Sequence, residues 1–243
     1  MKMALIGFGR LGSHLSQFLS EHFDIIVYDK DISKKKQAKD KGLEWCSDLS
    51  EIQEADIIVP FVPISAFEET IKELAPNLKK GSLVIDVCSV KVQPVAQMKE
   101  HLPEHIQILA THPMFGPDST ERTLFGQKIV LCPIRIEDKL FEDIVHFLNK
   151  FGLKVIQSTP EDHDHQIANT LLLSHLVGRT LLDFGAEKHD IDTLGYRRLL
   201  KILGTVENDS WQLFEDMNRY NPYAKEMREQ FLNSMGTVID KIK

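Results

Sequence analysis

The chain has 243 residues, 42% of them hydrophobic and 27% charged, with a formal net charge of −7. That composition is ordinary for a globular protein, and the acidic balance, with no stripe of Lys and Arg interleaved with aromatics, argues against a nucleic-acid partner. No apolar run approaches the roughly 20 residues of a membrane helix; three scattered cysteines, Cys46, Cys88 and Cys132, lack metal-type spacing and fit reduced thiols in a cytoplasmic protein.

The opening run MALIG (3–7) reads as a buried strand, because it is too short for a signal peptide and passes at once into glycines. GFGRLG follows it and opens an amphipathic helix, LGSHLSQFLSEHF. In this pattern Gly7 permits the tight turn, Gly9 lets the backbone approach a pyrophosphate, and Gly12 lets helix and strand pack closely. The helix N-terminus then supplies N–H groups and a dipole that favour an anion. Phe8, Arg10 and Leu11 complete the expected cofactor loop. A second strand, DIIVYD (24–29), ends on Asp29, about 20 residues after Gly9, where a carboxylate accepts the ribose hydroxyls of NAD and repels a 2′-phosphate. The alternative is that Asp29 only ends the strand while Lys30 and Lys34, Lys35 and Lys36 bind the phosphate of NADP. The residues favour NAD.

ADIIVPFV (55–62) is the next strand, and the helical pattern SAFEETIKELAPNL follows it. Ligands bind outside the carboxyl ends of such strands, so Val62 and Pro63 are expected to wall the nicotinamide. GSLVIDVCS (81–89) and IQILATH (106–112) deliver Ser89 and His112 to the same edge, with Lys91 close behind. KIVLCP (128–133) and LKVIQST (153–159) are the last two strands. Strands alternating with helices indicate an α/β fold, a doubly wound parallel sheet of Rossmann type. From Pro160 onward the strand-like runs stop and long helical patterns take over. We therefore expect a dinucleotide-binding domain over 1–157 and a smaller all-α substrate and dimerisation domain over 158–243. Leu171, Leu172, Leu176, Leu181 and Leu182 form apolar stripes there. A homodimer would bury them mutually, and an intrachain core is the alternative.

A hydroxyl and an imidazole at neighbouring strand ends can hydrogen-bond one alcohol oxygen. A dehydrogenase needs a base for the hydroxyl proton as hydride leaves, and histidine suits that role near neutral pH. DVCSVK and THPMFGPDS together resemble the paired signature of the prephenate/arogenate dehydrogenases of tyrosine biosynthesis. HDHQIANTLLLSHLVGRTL, LGYRRLLKILGTVENDSWQLF and NRYNPYA resemble that family's helical dimerisation domain, most closely in its plant-type arogenate branch. The resemblance implies hydride transfer from the carbinol carbon of a ring that then loses carbon dioxide, with Ser89 and His112 holding the hydroxyl. It places substrate contacts at Ser89, His112 and Asp209, and Gly116, Asp118, Ser119 and Lys201 are further candidate contacts.

Three departures from the family stand out. Gly178 replaces the second histidine that prephenate-specific members carry after the SHL tripeptide, which favours arogenate. The arginine that holds a substrate carboxylate in many bacterial members has no clear match, and Lys201, Arg197 and Arg198 are the nearby candidates. Asp29 conflicts with the NADP use typical of the plant branch.

His163, Asp164, His165 and His175 are not expected to bind a metal, since the i, i+2 spacing of His163 and His165 splits them between helix faces. Two other readings compete. A different hydroxy-acid dehydrogenase or imine reductase would place a lysine on the first helix of the second domain, yet no lysine lies between Gln157 and Lys188. A nucleotide-sensing protein without catalysis would not need both Ser89 and His112.

Overall fold

Apolar runs buried on both sides account for the strands. Ala4–Ile6, Ile25–Val27 and Ile57–Val59 are buried almost without break, as a sheet covered by helices on both faces requires. In a computed structural model that describes residues 1–120 and 123–242, the strands are β1 (Lys2–Ile6), β2 (Asp24–Tyr28), β3 (Glu44–Trp45), β4 (Ile57–Pro60), β5 (Leu83–Asp86), β6 (Gln107–Pro113), β7 (Lys128–Arg135) and β8 (Lys154–Gln157). The two-residue β3 was not expected, since so short an edge carries no periodicity. The strands form one sheet in the order β3-β2-β1-β4-β5-β6-β7-β8. The chain leaves β1 towards β2 and β3, then returns to start β4 on the other side. The crevice between the ends of β1 and β4 is thus the topological switch point, where such sheets bind ligands.

The sheet is mixed, not wholly parallel. β6 pairs with β7 antiparallel, with His112 opposite Val130, while β7 and β8 are parallel. A parallel return needs a crossover of a dozen or more residues, usually helical. Between β6 and β7 the described residues offer only a short 3₁₀ turn, Pro117–Ser119. The prolines and glycine of HPMFGP replace the crossover helix, so the chain turns back. Helices α1 (Arg10–Leu19), α2 (Lys34–Asp40), α3 (Ile64–Leu74), α4 (Val92–His101) and α5 (Asp138–Lys150) supply the other connections except that from β3 to β4, which is a 3₁₀ turn at Leu49–Ile52.

Met1–Pro160 and Glu161–Lys243 are two compact units. In the second, α6 (Pro160–Ile167) runs through a π-helical stretch, Ala168–Leu172, into α7 (Leu173–Asp183), followed by α8 (Leu194–Val206), α9 (Trp211–Tyr220) and α10 (Ala224–Asp240). Gly178 lets α7 and α8 approach closely. A Cβ there would lie 2.9 Å from Val206 Cγ2 and 3.1 Å from the Ile202 carbonyl oxygen. Of the leucine stripe only Leu172 is fully buried, while Leu182, Phe184, Ile191, Leu232, Val238 and Ile242 are exposed. Among the described residues no helix is long and apolar enough to cross a membrane.

Candidate active site

The glycine-rich turn closes on β1, β2 and β4. Gly7 takes a φ of +100°, and its N–H donates to the Tyr28 carbonyl at 2.7 Å. A Cβ on Gly7 would collide with the Phe61 carbonyl, and one on Gly12 would lie 2.6 Å from the Gly7 oxygen. Gly9 is the N-cap of α1, no side chain caps it, and a Cβ there would meet nothing within 4 Å. The loop therefore has an open face where a ligand's backbone contacts would fall. Phe8 points the other way, fully buried in the core, and offers only its main chain. Leu11 is half-buried against the sheet. Val62 packs beside Gly7, and exposed Pro63 caps α3.

Asp29 is held by two main-chain donors: Phe8 N–H at 2.6 Å and Asp31 N–H at 2.8 Å. These fix the carboxylate over the turn and leave lone pairs on each oxygen for hydroxyl donors. A cleft of about 450 Å³ opens beside it, between Gly9, Arg10, Ser13 and His14 on one side and Lys34, Gln37 and Lys41 on the other. Lys30 turns away and pairs with Glu73 at 2.9 Å.

Ser89 follows β5, and His112 lies within β6, 5% exposed. The β5–β6 register ends at Asp86 opposite Ala110, so both residues lie just past the ladder, at the carboxyl ends of adjacent strands. Lys91 folds back beneath them to Asp86. Further along the same segment, Arg10 Nη2 donates to both carboxylate oxygens of Asp118, at 2.7 and 2.9 Å. His14 is hydrogen-bonded to Thr120 Oγ1 at 2.9 Å, and Thr120 Oγ1 donates to the Gly116 carbonyl. The loop after β6 is thus tied to the start of α1, with Asp118 engaged by a residue of the glycine-rich turn. The side chain of Ser119 lies outside the described residues.

In the second unit, Asp209 sits ahead of α9 but does not cap it. Ser210 does, its Oγ accepting from Leu213 N–H at 3.1 Å. The Asp209 carboxylate lies 3.6 Å from His175 Nε2, and its carbonyl accepts from Arg179 Nη2 at 2.5 Å. Burial lowers the His175 pKa, the Asp209 charge opposes that shift and the Arg179 charge adds to it. The buried Nδ1 of His175 and Nε of Arg179 have no hydrogen-bond partner among the described residues. Lys201 is exposed on α8. His163 and Asp164 are paired with each other at 2.8 Å, both buried.

Sequence reasoning missed the Arg10–Asp118 clasp, the Lys91–Asp86 pair and the His175–Arg179 grip on Asp209. Only the last left a local signal, the i, i+4 spacing that puts His175 and Arg179 on one helix face.

A family model described as prephenate dehydrogenase, nucleotide-binding domain, matches residues 16–157, and one described as TYRAAT1-like, C-terminal domain, matches residues 180–243. The chain belongs to the prephenate dehydrogenase family. It is 31% identical over 245 residues to a probable arogenate/prephenate dehydrogenase of Methanocaldococcus jannaschii, covering 96% of this chain and 54% of the relative. It is 32% identical over 240 residues to the chloroplastic arogenate dehydrogenase 2 of Arabidopsis thaliana, covering 95% and 66%. The chain thus spans between about half and two thirds of the length of these relatives. In fold it is similar to an Aquifex aeolicus prephenate dehydrogenase solved with hydroxyphenyl propionate and NAD+, with a TM-score of 0.80, 20% identity and coverage of 100% and 90%. Synechocystis arogenate dehydrogenase gives a TM-score of 0.74 at 24% identity, covering 99% and 92%.

Proposed function

We propose that the protein oxidatively decarboxylates arogenate, in preference to prephenate, with a nicotinamide dinucleotide as hydride acceptor, a step of tyrosine biosynthesis. The observation that carries this is the placement of Ser89 and His112 at adjacent strand ends, on the sheet whose switch point holds the glycine-rich turn. His112 accepts the hydroxyl proton while Ser89 fixes the hydroxyl oxygen. A nicotinamide dinucleotide held by the glycine-rich turn and Asp29 would supply the hydride acceptor. Loss of carbon dioxide makes the ring aromatic and the step strongly downhill, so the protein's main task is alignment. Both the relatives' names and the ligands of the Aquifex aeolicus enzyme agree with this reading. The test is NADH formation with arogenate and prephenate side by side; product from neither overturns the proposal.

The turn fits a dinucleotide, with Gly9 open, the α1 N-terminus uncapped and Asp29 oriented. Asp29 would accept the ribose hydroxyls, which selects NAD over NADP. Lys34 lines the cleft, with Lys35 and Lys36 next to it on α2, and these lysines make NADP the alternative. Asp29→Ser should weaken NAD by about 10-fold through the loss of charged hydrogen bonds and improve NADP. Steady-state kinetics with both cofactors check this, and a wild type that already prefers NADP would transfer the role to the lysines.

The helical unit is also proposed to pair with a second copy. Phe184, Ile191, Leu232, Ile239 and Ile242 are exposed at 81%, 96%, 61%, 48% and 81%, apolar side chains that a second copy would cover. Light scattering should report a dimer, and Leu232→Glu with Ile239→Glu should yield a monomer. A wild-type monomer at micromolar concentration removes the proposal. The buried thiols Cys46, Cys88 and Cys132 suit a cytoplasmic setting.

A further inference from the structure

Beneath the two residues assigned to chemistry lies an ion pair that the reaction does not use. Lys91 and Asp86 have fully buried side chains, and Lys91 Nζ donates to Asp86 Oδ2. The same ammonium donates to the Thr111 carbonyl oxygen at 2.5 Å. Asp86 Oδ1 accepts from Cys88 N–H at 2.7 Å, and Thr111 Oγ1 donates to the Asp86 carbonyl at 2.7 Å.

As glue alone, such a pair is a poor choice. Two charges lose their hydration on burial, and apolar side chains of equal volume often stabilise a fold as well or better. Apolar side chains could not hold these particular main-chain groups, however. One is the amide of Cys88, the residue before Ser89. The other is the carbonyl of the Thr111–His112 peptide. Strand pairing between β5 and β6 stops at Asp86 and Ala110, so the ladder itself secures neither Ser89 nor His112 against the other. Lys91 and Asp86 continue the network by side chain just where the ladder ends.

We propose that Asp86 and Lys91 are positioning residues that set the spacing of Ser89 and His112, so that both reach one hydroxyl. This rests on the reading that Ser89 and His112 hold the substrate hydroxyl. Misplacement by about 1 Å can cost roughly 10²-fold in rate. The double variant Asp86→Asn with Lys91→Met removes both charges, keeps an acceptor for the Cys88 amide and retains most of the lysine's stem volume. It should melt cooperatively and bind NAD as the wild type does, with KM unmoved and kcat lower by about 10–100-fold. A folded double variant with wild-type kcat overturns the proposal. In a His112→Ala background the same two changes should cost nothing further, because residues that act as a unit are non-additive. A full additional loss would make the pair a general support and also overturn it. Should the double variant fail to fold, Thr111→Val deletes one bond of the network without exposing a charge, and should lower kcat several-fold at unchanged KM; an unchanged kcat counts against the proposal. Loss of turnover in His112→Ala with none in the double variant sinks only the positioning role. No loss in His112→Ala sinks the reading beneath it, and the positioning role with it.

Discussion

His112→Ala should lower kcat by about 10²–10⁴, the usual contribution of a positioned general base, while NAD binding persists. The histidine is 5% exposed and part of a paired strand, so its ring has little freedom to be replaced in function by a neighbour. It also lies on β6, away from β1 and β2, which lead directly into Gly7 and Asp29, so cofactor affinity should report an intact turn. Turnover measured with saturating NAD, together with NAD affinity by fluorescence, checks the prediction. A variant with near-normal kcat would return the role of base to solvent or to another side chain.

Asp209→Asn should lower the kcat/KM ratio of arogenate over prephenate by about 10–100-fold, the size of a charge-assisted hydrogen bond. Arogenate and prephenate differ at one group, an ammonium in the first where the second has a ketone. A carboxylate gains from the first and faces only an acceptor in the second. Asn, Asp and Ser all favour helix N-caps, so Asn208, Asp209 and Ser210 each qualify by residue type. Ser210 performs that task, so the Asp209 carboxylate is not consumed by the helix. His175 and Arg179 grip it instead, one through the carboxylate and one through the main chain. Burial lowers the His175 pKa and so disfavours a charged imidazole beside the carboxylate. Asp209→Asn keeps the shape and removes the charge. A ratio unmoved by the substitution, or a wild-type preference for prephenate, would leave Asp209 a structural residue. Gly178 now has a packing explanation against Val206 and carries less of the specificity argument than its place in the sequence suggested.

The strands and the glycine-rich turn were legible because their causes are local. Buried apolar runs, a glycine where φ must be positive and an acidic residue at the next strand end all lie within a few tens of residues. The antiparallel return at β7 has a local cause as well, since the described residues between His112 and Lys128 form no crossover helix, but strand-like runs alone do not report direction. What stayed hidden is long-range pairing. Arg10 meets Asp118 across 108 positions, and nothing in either neighbourhood names the other. Lys91 read as an ordinary residue near a strand end, because full burial of a lysine shows only once the sheet and α4 are in place. The helical unit exposed more of its apolar stripe than periodicity implied, since periodicity shows which residues share a face and not what covers it.

The antiparallel seam gives His112 a particular place on the scale of local opening. Catalytic groups on loops exchange between conformers on the timescale of loop motion, whereas paired strands open only with larger, rarer fluctuations. With Val130 opposite it and Thr111 and Pro113 inside the same ladder, the His112 amide should exchange with solvent deuterium as slowly as the central strands. In the role proposed for it, the imidazole would then be the stationary partner, and whatever adjustment admits a substrate would have to be made elsewhere.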